Sequence, residues 1–127
     1  MDGVCIHKIA PANPDDTRGE TWTCIAPALQ TVVCRRKIGS VSCHYHKGDD
    51  SSKNPEQLFI AFGKVEFTFL NAGTGEKEVV AVGAGTAVSI DPNIIHRTRI
   101  LEYAVILEFR TTVFDPAAPD TYQSRID

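Results

Sequence analysis

The chain of 127 residues is 43% hydrophobic and 23% charged, a balance that suits one compact domain with one core and is too short for two ordinary domains. Its formal charge of −3 offers no basic field to a polyanion, and no cluster of Lys and Arg interleaves with aromatics, so nucleic acid is not an expected partner. No apolar run approaches a membrane span and the N-terminus lacks the charged-then-apolar pattern of a signal peptide; no membrane association is expected, and the cytoplasm is the expected location.

In chain order, residues 1–15 carry Ile6 and Ile9 among polar residues, with Pro11 and Pro14 interrupting regular structure. This predicts an edge strand followed by a loop. Asp16-Thr17-Arg18-Gly19-Glu20 is a turn, and residues 21–25 and Gln30–Arg36 are β-rich runs. Residues 38–43 alternate enough to form a strand, which delivers His44-Tyr45-His46 at its end. Residues 57–61 and 65–70 flank Gly63 and predict a hairpin. A turn at 71–75 leads to a strand at 78–82, a reversal at Gly83-Ala84-Gly85, and a strand over Thr86–Ile90. After the loop 91–95, His96 opens a strand ending near Ile100, and residues 103–109 form the last long strand. No stretch of ten or more residues shows a helical apolar stripe. Short strands separated by glycine turns indicate an all-β sandwich or barrel, and a double-sheet jelly roll is the expected member.

Three of the four histidines belong to one set: His44, His46 and, far downstream, His96, with Glu56 between them. Side chains two apart on a strand share a face. The imidazoles of His44 and His46 therefore stand side by side, as half of a metal site or of a paired acid/base site. Tyr45 faces the other way and is expected to pack. The acidic Asp49-Asp50 run reads as a solvated loop. Cys5, Cys24, Cys34 and Cys43 contain no CxxC pair, which argues against a zinc ribbon or a redox motif and predicts buried thiols. Cys43 faces away from its neighbour His44 by strand parity.

With their flanking glycines these residues resemble the cupins. The first cupin motif, a glycine, an HxH pair, a glutamate and a later glycine, is matched by Gly39, His44, His46, Glu56 and Gly63. The gap from His46 to Glu56 is longer than the motif usually has, a polar insertion of a kind surface loops tolerate. The second motif is matched by Gly85 and His96, with Asp91 and Asn93 where the motif has proline and glycine; Asn tolerates the left-handed backbone such a turn needs. The resemblance implies a cupin double-stranded β-helix, a jelly-roll barrel, as a single domain over 1–127. Its core covers about 30–112, with an N-terminal strand and loop at 1–29 and a tail at 113–127.

Two further segments are similar to cupins that act on nucleotide-linked deoxysugars. Asp16-Thr17-Arg18-Gly19 resembles the Asp-x-Arg-Gly segment of dTDP-4-dehydrorhamnose epimerases and dTDP-sugar ketoisomerases, although Asp16 and Arg18 can equally pair or cap a turn. Residues 114–122 are similar to the tail of the cupin domain of capsular polysaccharide reductases. The resemblance implies a divalent metal ion (Zn, Ni, Mn or Fe) held by His44, His46, Glu56 and His96. It implies an epimerase or isomerase of a 4-keto nucleotide sugar in polysaccharide biosynthesis, with Arg18 binding a substrate phosphate. If metal is not used, His44 and His46 become the acid and base. The same barrel also serves non-catalytic sugar-binding or regulatory cupins and Fe(II)-dependent dioxygenases. An N-terminal edge strand and the family's habit imply a homodimer.

Overall fold

The computed structural model describes residues 1–12, 15, 17 and 19–127. Among these the chain forms eight β-strands, and no helix is long and apolar enough to cross a membrane. The strands are β1 (Val4–Lys8), β2 (Gln30–Arg36), β3 (Val41–Tyr45), β4 (Glu56–Asn71), β5 (Lys77–Gly83), β6 (Thr86–Ile90), β7 (Ile94–Arg110) and β8 (Tyr122–Gln123). All pairings are antiparallel, in the order β1-β6-β4-β7-β3-β8, with β2 also on β7 and β5 also on β4.

β4 and β7, of 16 and 17 residues, pair with each other along most of their lengths and change partners halfway. The first part of β4 pairs with β6 and the second with β5. Likewise the first part of β7 pairs with β3 and the second with β2. This exchange of partners bends one sheet into two facing layers, the jelly roll expected from the sequence. Between the layers lie Ile60, Val65, Phe67, Phe69, Val88, Ile90, Ile100 and Ala104. The rings of Phe67 and Phe69 stack at 5.4 Å and are fully buried; burial on this scale contributes on the order of 2–3 kcal/mol per side chain.

Two expectations are corrected here, for one reason. Residues 57–61 and 65–70 are not the arms of a hairpin but two halves of β4, and residues 96–100 and 103–109 are likewise halves of β7. The register between the two strands shifts around Phe62 and Lys64. Gly63 sits there at φ +86°, and a Cβ on it would press into the Tyr103 carbonyl. A glycine between two alternating runs reads alike whether the chain reverses or only bulges, and the close approach of β7 selects the bulge.

Residues 21–28 form no strand, contrary to the reading of 21–25. Trp22 instead lies edge-on to Phe59 at 6.3 Å, over Gly85, where any Cβ would meet the indole. The cysteines are not buried as expected: Cys5 and Cys24 are exposed, Cys34 and Cys43 half-buried, and all are free.

The tail over 113–127 is tied to the barrel. β8 pairs with the end of β3, and Tyr122 stacks on Tyr45 at 5.3 Å. Replacing Gly63 by Ala is expected to cost at least about 2 kcal/mol, because both its backbone conformation and its contact forbid a side chain. Urea unfolding should show this as a lower midpoint with an unchanged slope.

Candidate functional site

The antiparallel ladder between β3 and β7 sets His44 directly opposite His96. His46 follows on the same face, one residue past the end of β3, and its carbonyl accepts the backbone N–H of Asn93 at 2.7 Å. Asn93 has φ +66°, the left-handed conformation expected at this turn. Ring centroids lie 4.9 Å apart for His44 and His46, 4.6 Å for His44 and His96, and 5.2 Å for His46 and His96. Each ring offers a nitrogen to one point, these atoms lying within 4.8 Å of one another. Glu56, the first residue of β4, brings its carboxylate 3.0 Å from His46 Nε2 and 3.6 Å from His96 Nε2.

The tautomers follow from the hydrogen bonds. Nδ1 of His46 lies 2.8 Å from the Asp120 carbonyl oxygen, and Nδ1 of His96 3.0 Å from that of Ile94. A carbonyl can only accept, so both rings donate through Nδ1 and turn Nε2 inward. Both Nε2 atoms are buried and lack a hydrogen-bond partner among the described residues. In a neutral ring such an atom carries a lone pair, and a lone pair facing the Glu56 carboxylate calls for a proton or a cation between them. The donor set therefore fits a divalent metal ion.

Burial, with His96 and His46 close by, pushes the His44 pKa down to about 4, and burial also holds His96 below its ordinary value. Both are neutral at pH 7, the state metal ligation needs. Burial pushes Glu56 up, but the adjacent His46 ring and the Lys53 ammonium outweigh it and hold the carboxyl far below its usual range.

Lys53 is a member of the site that the sequence reading missed. Its ammonium is buried, donates to Glu56 Oε2 at 2.7 Å and also bonds Glu108. Burial lowers its pKa, yet the two carboxylates raise it further, so it stays charged. Lys53 belongs to the polar insertion between His46 and Glu56, which looked solvated. Asp50 in the same loop is also not free: it pairs with Arg110 at 2.6 Å, and the Arg110 side chain is 1% exposed. The signal available in the sequence was parity on β7. Ala104, Ile106, Glu108 and Arg110 share its inward face, and a charge at an inward position requires a partner.

A cavity of about 160 Å³ opens onto the cluster, lined among others by Cys34, Arg36, Ser42, Thr98, Glu108 and Thr121. A larger hollow of about 650 Å³ lies between the 49–51 loop and the tail. Its cation, Arg110, is already occupied by Asp50, so it is the seam where the tail docks and not the reactive centre. Arg18 and Asp16 lie outside the described residues.

No protein-family profile matches the sequence, and no curated protein resembles it significantly. Solved structures do. A TDP-quinovose 3,4-ketoisomerase from Campylobacter jejuni aligns over 98% of this chain and 95% of its own, with TM-score 0.73 and 14% identity. A 3'-monoepimerase from Streptomyces bikiniensis, solved in complex with dTDP-quinovose, aligns over 97% of this chain and 70% of its own, with TM-score 0.75 and 16% identity. A Bacillus subtilis oxalate decarboxylase aligns over 74% of this chain and 23% of its own, with TM-score 0.60 and 24% identity. The protein has the cupin jelly-roll fold, and its structural neighbours include cupins that modify nucleotide sugars.

Changing Asp50 to Asn takes the nearer of two carboxylates from the buried Arg110 guanidinium, leaving Glu108 at 3.4 Å, and is expected to cost up to about 3 kcal/mol at neutral pH. Burial raises the Asp50 pKa, but Arg110 and the Ser52 N–H outweigh it, so the folded value lies below the ordinary 3.8. A depressed pKa stabilises fully above the unfolded value and progressively less as pH falls through the folded one. Calorimetry should therefore find a constant gap in Tm between wild type and Asp50→Asn from about pH 7 to about pH 5, closing below about pH 4.

Proposed function

We propose that this protein is an isomerase or epimerase of a 4-keto nucleotide sugar, serving polysaccharide biosynthesis. The observation that carries the reading is the convergence of three imidazoles on one cavity of a fold shared with a TDP-sugar ketoisomerase and a monoepimerase. His44, His46 and His96 would hold a divalent ion, Zn, Ni, Mn or Fe, with the Glu56 carboxylate adjoining. When bound, that ion would polarise the substrate ketone.

The chain's own residues supply the rest. In a metal-free site His44, half-buried at the mouth and neutral at pH 7, can instead accept a proton from the carbon beside the ketone. There His46, whose Nε2 lies 3.0 Å from the Glu56 carboxylate, can hold and return a proton at that nitrogen. In a metal-free site these two histidines are the acid and base. The cavity of about 160 Å³ is well under the roughly 300–1,000 Å³ of a pocket enclosing a whole drug-sized ligand, so it takes the reacting sugar and leaves the nucleotide outside. Arg18 is the proposed phosphate anchor, and Arg36 adds a second cation at the cavity wall. Lys53, itself held charged by Glu108, keeps Glu56 ionised.

Incubation with 4-keto TDP-sugars in D₂O should incorporate deuterium next to the ketone, read by mass. His44→Ala and His96→Ala should slow exchange by about 100-fold or more. Arg18→Ala should instead raise KM with little change in kcat, since a phosphate that does not react is bound equally in ground and transition states. Absence of exchange across several such sugars by metal-loaded protein would overturn the reading.

We further propose a homodimer. Among the described residues β1 pairs only with β6 and its other edge has no strand partner, the kind of edge proteins cover. Sedimentation at micromolar concentration should give twice the monomer mass; a monomer alone would refute the dimer.

A further inference from the structure

We infer that Asp120 is a positioning residue of this site, acting through His46, so that the C-terminal segment is a working part of the centre. The nine residues before it, 111–119, are exposed, whereas Asp120 is buried. Its φ is +49°, a conformation that a residue other than glycine adopts at a cost and keeps only where its surroundings demand it.

The demand comes from two directions at once. The Asp120 carbonyl accepts Nδ1–H of His46 at 2.8 Å, and its carboxylate accepts the backbone N–H groups of Lys47 at 2.9 Å, Gly48 at 3.0 Å and Asp50 at 3.0 Å. These three donors belong to the loop that leaves His46 and carries Lys53 toward Glu56. One residue therefore fixes the ring and the loop beside it. A left-handed backbone lets carbonyl and carboxylate reach both.

The two buried histidines differ in how they are held. His96 is oriented by a carbonyl two residues away on its own strand, whereas the acceptor for His46 stands 74 residues along the chain. Orientation of His46 is therefore conditional on docking of the tail. That docking is secured by pairing of Tyr122 with Tyr45 and by Lys47 Nζ lying 4.3 Å over the Tyr122 ring. Loss of the carboxylate removes three hydrogen bonds and leaves the strained backbone without the bonds that sustain it. The carbonyl then no longer stays aimed at Nδ1, and either ring nitrogen can face the cavity.

This inference rests on the metal reading for only one of its two tests. Zn²⁺ affinity, measured by competition with a chromophoric chelator, is expected to fall about 10–100-fold in Asp120→Ala, the usual effect of losing a partner that orients a metal-binding histidine. In parallel, NMR of the imidazole N–H region should show a protected Nδ1–H of His46 in wild type that exchanges at least about tenfold faster in the variant. Asp120→Asn tolerates the left-handed backbone and keeps one acceptor oxygen; it should recover part of both losses. It also decides the matter if the Ala variant does not fold. Wild type that binds no Zn²⁺ but shows the protected N–H overturns the metal reading alone. Variants with Zn²⁺ affinity within about threefold of wild type and unchanged N–H protection overturn the role of Asp120.

Discussion

Pairing of β4 with β7, and the bend both share near Gly63, is the constraint from which the rest of the molecule follows. Because each long strand changes partners at the bend, one continuous ladder serves two facing layers. The first half of β7 must then pair with β3, and that register sets His96 against His44. The second half points Ile106, Glu108 and Arg110 inward below them. Strand register thus places His44 and His96 to within the spacing of a ladder, and His46 and Glu56 join them from the end of β3 and the start of β4.

Charge burial is the second organising feature. Glu56, Lys53, Glu108, Arg110 and Asp50 form a chain of alternating sign running from the histidines to the surface loop. Each charge removed from water loses hydration worth several kcal/mol, which alternating neighbours offset only when the geometry is good. An apolar core would be at least as stable. What the alternating chain supplies is a Glu56 carboxylate kept ionised beside two inward-facing imidazole nitrogens, an environment suited to a cation or a moving proton and not to further packing. The tail closes the arrangement from the other side through the Asp120 carbonyl and carboxylate.

Much of this was legible in the sequence, because it depends on local periodicity. The two-residue spacing of His44 and His46 fixes their common face; glycines and alternating apolar residues fix an all-β jelly roll; Asn93 marks a left-handed turn. β2 and β6 run over the residues that composition selects. The likeness to nucleotide-sugar cupins, carried by a handful of residues, agrees with the folds of the solved neighbours.

Tertiary structure alone decided the features that depend on distant residues meeting. Whether Gly63 reverses the chain or bulges it turns on the Tyr103 carbonyl, 40 residues away in sequence and in contact only after β4 and β7 pair. Trp22 sits in a run that reads as strand, yet it docks over Gly85 because that surface is open to it. Lys53 and Asp50 lie in a segment whose composition predicts hydration, and they are held inward by Glu108 and Arg110 from the far end of β7. Local sequence sets which way a side chain faces along its own strand. Only the assembled barrel sets what it faces, since an ion pair or a close backbone approach is a property of two segments whose separation along the chain carries no record of it.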